Sequence, residues 1–219
     1  KLLLGLVLCL ALIAVAPAAV ITDPYSIPQT KVTATGTTPT PAASLVGIPG
    51  ATRSLTVVWA NNTDGNPGSE VSASVFNELA FSQDTKTTGS LMVEYILSAD
   101  LTAWPSYTFN LDVTYADVVG GALEFFVRTT GGGYQGVGSL PLLSTSPPTT
   151  TLIKSFLSSN IVDAANVTGV GFYVTGTPAS KDMNFDNFSL TQVPEPGVTT
   201  LALTALLATA GARRRSRAS

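Results

Sequence analysis

The chain contains no histidine, and its one cysteine, Cys9, lies inside an apolar run near the N-terminal end. Lack of histidine excludes Ser-His-Asp and Cys-His catalysis and His-ligated zinc. With no cysteine after residue 9, the rest of the chain has neither disulfides nor thiolate metal sites. Charge is scarce as well, at 11% of the 219 residues against 45% hydrophobic. The length suits one domain with terminal signals. Setting aside residues 1–18 and 197–219 removes Lys1, Arg213, Arg214, Arg215 and Arg217, which leaves six cations against all 14 acids, a formal charge of −8. Such a surface repels phosphate backbones, so no nucleic-acid partner is expected.

What is present begins at the two ends. Lys1 is followed by 14 mostly apolar residues, Leu2 to Val15, and then by Ala16-Pro17-Ala18, with small residues at the −3 and −1 positions. This pattern predicts a secretory signal helix over residues 1–18, cleaved after Ala18. As a helix the run rises only about 21 Å, short of a hydrocarbon core of about 30 Å, which argues against a permanent anchor. At the other end, the prolines of Val193-Pro194-Glu195-Pro196-Gly197 force an extended stretch. The uncharged segment Val198 to Ala212 follows, and then four arginines in five residues, Arg213-Arg214-Arg215-Ser216-Arg217. The positive-inside rule keeps those arginines in the cytoplasm and places Pro194 to Pro196 outside, in agreement with the N-terminal signal.

Val-Pro-Glu-Pro, a short apolar span and a terminal arginine cluster, in that order, resemble the PEP-CTERM sorting signal of Gram-negative bacteria. The resemblance covers residues 193–219. It implies that Val193, Pro194, Glu195 and Pro196 form the sorting motif, that Val198 to Ala212 is a short transmembrane helix, and that Arg213, Arg214 and Arg215 act as the cytoplasmic stop. It also implies two partners, Sec-type export machinery and an exosortase. The protein would then be held briefly in the inner membrane and end at the cell surface, in the outer envelope or outside the cell.

Residues 19–192 read as an all-β ectodomain. Tyr107, Phe109, Leu111 and Val113 alternate with Thr108, Asn110, Asp112 and Thr114, the pattern of a half-buried strand. Eight further candidates are Leu55 to Ala60, Val71 to Phe76, Leu91 to Leu97, Leu123 to Thr129, Tyr134 to Leu140, Thr151 to Leu157, Gly169 to Thr175 and Asn184 to Leu190. Only Ser74 to Phe81 and Ser159 to Ala165 read as helical, and both are too short to form a layer. Many short strands in one domain predict a jelly-roll-like antiparallel β-sandwich. The segments Gly169 to Val174 and Phe185 to Leu190 also resemble the closing strands of jelly-roll modules found ahead of such tails and in some carbohydrate-binding modules. In several of those modules the Asp of the closing strand helps hold a structural calcium.

Four sets of residues are candidates for chemistry. Asp182, Asn184 and Asp186, joined by Asp23, supply oxygens for a structural calcium, the one cofactor the sequence suggests; a solvated strand edge is the alternative. Asn62-Thr63-Asp64-Gly65-Asn66 spaces oxygens like a calcium loop but lacks the downstream glutamate and reads as a turn. Trp104, Tyr107 and Tyr134 are candidates for stacking on sugar rings, while Trp59 reads as core. Glu70, Glu78, Glu94 and Glu124 are available for glycosidic hydrolysis, yet none sits in a recognisable motif. The expected function is a non-enzymatic structural or adhesive protein of the envelope or extracellular matrix, associated with exopolysaccharide. A carbohydrate-binding module is the first alternative and a jelly-roll glycoside hydrolase the second.

Overall fold

The computed structural model describes residues 19–35, 42–63, 65–117, 119–143 and 149–193. The expected signal helix, Asp64, and the sorting tail from Pro194 through Arg213, Arg214 and Arg215 lie outside the described residues. Thirteen strands follow in chain order: β1 (Ala19–Asp23), β2 (Gln29–Thr35), β3 (Ala42–Ile48), β4 (Ala51–Asn62), β5 (Glu70–Val75), β6 (Leu79–Gln83) and β7 (Thr87–Ala99). Then come β8 (Ser106–Ala116), β9 (Ala122–Thr129), β10 (Gly133–Pro141), β11 (Thr150–Leu157), β12 (Val167–Thr175) and β13 (Met183–Gln192). A 3-10 turn at Ser158–Asn160 is the sole helical element among the described residues.

The strands form two antiparallel sheets facing each other, a jelly-roll-like sandwich. One sheet runs β11-β8-β13-β6-β5-β2, with β1 added to β13; the other runs β10-β9-β12-β7-β4-β3. β1 and β6 share the same side of β13, since Phe188 to Thr191 pair with β1 while Met183 to Phe185 pair with β6. This brings Ala19 opposite Thr191, and the Val193 amide donates to the Ser106 carbonyl at 3.0 Å.

Period-two patterning explains the core. Tyr107, Phe109, Leu111 and Val113 of β8 are all buried, as are Val170, Phe172 and Val174 of β12. Rings from the two sheets meet at the centre: Phe109 stacks on Phe125 at 4.9 Å and Tyr95 on Phe188 at 4.4 Å. β13 breaks the period. Asn187 takes a positive φ of 53°, the register slips between Asp186 and Ser189, and the resulting bulge turns both Phe185 and Phe188 inward although they are three residues apart.

Four strands, β1, β2, β3 and β6, were not expected from the sequence: the first three present few large buried apolar residues, and β6, with Leu79 and Phe81 buried, overlaps a segment that reads as helical. One helical expectation is corrected outright. Ser74 to Phe81 is the turn of the β5–β6 hairpin, where Val75 pairs with Leu79. Asn77 supplies the positive φ, 64°, that such a turn requires, the role glycine more often fills. The second, Ser159 to Ala165, is the 3-10 turn and the irregular chain after it.

Candidate functional site

The outer face of the six-stranded sheet is unevenly built. Its central strand β12 presents Gly169, Gly171 and Tyr173 outward, because the alternate residues fill the core. Glycine at two successive outward positions leaves a trough along the strand. Neighbouring strands cover part of it. Phe126 of β9 lies over Gly171, where a Cβ would meet its ring at 3.0 Å, and a Cβ at Gly169 would meet Glu94 Oε1 at 2.5 Å and Arg128 Nε at 3.3 Å. Phe126 is consequently only 5% exposed although it faces outward.

Above this floor stands Tyr134 of β10, 54% exposed. Its ring meets Phe126 edge-on at 5.3 Å, and the Arg128 guanidinium lies 5.5 Å from its centroid. Its hydroxyl donates to Glu94 Oε2 at 3.1 Å, while Arg128 Nε sits 2.6 Å from Glu94 Oε1. Partial burial, then the charge of Glu94 and the hydrogen bond to it, push the Tyr134 pKa up, so the phenol remains a donor. On the far side Tyr173 donates its hydroxyl to Ser90 Oγ at 3.0 Å. Between the two tyrosines is a groove of about 440 Å³ lined by Thr56, Val58, Met92, Glu124, Phe126, Tyr134, Gly136 and Tyr173. An apolar floor, two aromatic flanks and a few oxygen acceptors make a surface that takes a flat molecule with an apolar face and a polar rim.

The residues singled out in the sequence are dispersed. Tyr134 lies on the groove. Tyr107 points the opposite way: it is fully buried and stacked on Phe156 at 5.8 Å, so it is corrected to a core residue. Trp104 is half-buried and packed against the core rather than free to stack. Trp59 is core, as its setting suggested. Of the glutamates, Glu70 pairs with Lys31 and Glu78 accepts from Asn184 Nδ2 at 2.9 Å, whereas Glu94 and Glu124 share the grooved face.

The oxygens proposed for calcium have other engagements. Asp23 is 2% exposed and accepts from the Tyr25 amide at 2.8 Å, from Arg53 at 2.5 Å and from the Tyr95 hydroxyl at 3.0 Å. Arg53 is fully buried; its other nitrogens reach Gln29 Oε1 at 2.8 Å and the Ile27 carbonyl at 2.6 Å. A guanidinium is thus the cation at this junction. Asn184 is held by Glu78, and the side chain of Asp182 is exposed. Asp186 accepts from the Asn187 amide at 2.8 Å; partial burial, and beyond it the carboxylates of Glu78, Asp112 and Asp23, push its pKa up. Among the described residues no group of three or more acidic side chains is close enough to hold a metal ion.

No family model matches the chain, and no curated protein matches it. Solved structures with a similar arrangement include the family 11 carbohydrate-binding module of a cellulosomal cellulase of Clostridium thermocellum, at 14% identity over 82% of this chain and 96% of that one, with a TM-score of 0.41. Another is the xylan-binding module CBM15, at 12% identity over 80% and 98%, TM-score 0.41. A third is the CBM22-1 xylan-binding domain from Paenibacillus barcinonensis Xyn10C, at 12% identity over 82% and 97%, TM-score 0.38. At these identities and scores none of them decides what this chain binds.

Proposed function

We propose that residues 19–192 form a non-catalytic glycan-binding domain, displayed by an exported protein, and that the saccharide lies in the groove between Tyr134 and Tyr173. The observation that carries this is the groove itself: an exposed tyrosine propped on a buried phenylalanine and an arginine, facing Tyr173 across an apolar floor, with the Glu124 carboxylate in the lining. A pyranose offers apolar C–H faces to an aromatic ring and equatorial hydroxyls to acceptors, which matches this layout. Glu94 is 5% exposed and tied to Arg128 and Tyr134, which suits a support for the tyrosine better than a group that shuttles protons.

The resemblance of Val193, Pro194, Glu195 and Pro196 and the residues after them to a sorting signal supports a reading of export and release at the cell surface through an exosortase, with exopolysaccharide or matrix glycan as the natural ligand class. Affinity electrophoresis through gels containing soluble polysaccharides tests the binding. The protein should be retarded by at least one polymer, and Tyr134→Ala should lose about tenfold in affinity, as expected for one stacked ring. Retardation that is the same in the variant removes the groove as the site.

A further inference from the structure

The groove, taken as a glycan site, is mostly apolar, and its few polar groups include one charged side chain, Glu124. Tyr134 gives its hydroxyl proton to Glu94, and Tyr173 gives its own to Ser90. Glu94 is committed to Arg128, and Arg128 is not among the lining residues. That leaves Glu124, an exposed carboxylate in the lining that has no hydrogen-bonding or ion-pairing partner among the described residues. The side chain lies across Gly136 of the edge strand, in space that any Cβ at that position would take from Glu124 Oε1. A bare carboxylate in a groove, given room by Gly136 on the edge strand, is complementary to a cation that also carries N–H donors. It repels uronic acids and sulfated sugars in the same measure, since acceptor would face acceptor.

We infer that the groove selects a saccharide carrying a free ammonium, a de-N-acetylated hexosamine unit in an otherwise uncharged chain, and that Glu124 receives that ammonium. This rests on the glycan-binding reading above and narrows its ligand class. A charge-assisted contact of this kind gives about a tenfold preference for the amine over the matching neutral or N-acetylated sugar.

Isothermal titration of the full chain with four tetrasaccharides tests it: glucosamine, N-acetylglucosamine, glucose and glucuronate. Binding should be tightest to glucosamine by about tenfold and weakest to glucuronate, and raising the pH through the titration of the amine should erase the advantage. Glu124→Gln should bring glucosamine down to the level of glucose while leaving glucose within about twofold. Asp182→Asn, an exposed acid in the loop that enters β13 of the opposite sheet, should change neither, which controls for the net negative charge of the domain. Equal affinity for glucosamine and glucose, or an amine advantage that survives Glu124→Gln, overturns the inference and leaves the glycan groove standing. Binding to none of the four overturns both.

Discussion

Replacing Arg53 by methionine is the most direct test of how the N-terminal strand is held. The guanidinium is fully buried and satisfies Asp23, Gln29 and the Ile27 carbonyl at once, with Tyr25 across its face at 5.3 Å. Methionine fills similar volume but leaves the Asp23 carboxylate, 2% exposed, with only the Tyr25 amide and the Tyr95 hydroxyl. An uncompensated buried charge of this kind costs about 3–5 kcal/mol. Against a domain stability of roughly 5–15 kcal/mol the variant still folds. At about 2–4 °C per kcal/mol its melting temperature falls by roughly 6–20 °C. Urea denaturation should show the same loss as a lower midpoint at unchanged slope. Adding Asp23→Asn to Arg53→Met removes the stranded charge, so the double variant should regain about 2 kcal/mol. A single variant within about 1 kcal/mol of the parent, or a double variant no better than the single, would refute the ion pair as the junction's support.

Other expectations follow from the same geometry. Burial raises the pKa of both Tyr25 and Tyr95, so each stays protonated in the folded state when its unfolded counterpart ionises. Stability is therefore complete below the ordinary tyrosine value of about 10 and falls above it, by about 1.4 kcal/mol per pH unit for each tyrosine; a pH series of denaturation midpoints that is flat to pH 11 would contradict this. Gly171→Ala sets a Cβ against the Val93 carbonyl and the Phe126 ring, and should cost about 1–3 kcal/mol by thermal melting while also lifting the groove floor. Because Arg53 supplies the cation at Asp23, chelation with EDTA should leave the melting temperature unchanged; a drop of several degrees would instead favour a structural calcium at Asp182, Asn184 and Asp186.

The sandwich was legible where large apolar residues alternate, as in β8 and β12, since period two is itself the physical cause of one-sided burial. It was not legible in β2 and β3, which hold their places through hydrogen bonding to β5 and β4 and contribute few large side chains to the core. Ser74 to Phe81 misled because the positive φ of Asn77 carries no glycine to mark the turn. In the site, Tyr134 could be picked out as a ring beside a glycine loop, but Tyr107 could not be told from it: facing in or out depends on the phase of the strand. The signal for the groove was present as Gly169-Val170-Gly171-Phe172-Tyr173, where alternate glycines mark an outer face that something else must cover. What covers it, Phe126 and Arg128 from the adjacent strand, is set by register and has no trace in local sequence.

The pairing of Ala19 with Thr191 bears on how the domain responds to force. Tension applied between the two ends of the described domain acts across an antiparallel pair at its open end, so the β1–β13 hydrogen bonds load one after another instead of all together. The strands unzip at low force, and the first to leave, β1, carries Asp23 away from Arg53. Placed in series between a cell and a matrix, such a domain yields early; fixed by one end and loaded through the groove, it keeps its sheets intact. The topology resists load carried through its sheets better than load applied between the two ends of the described domain.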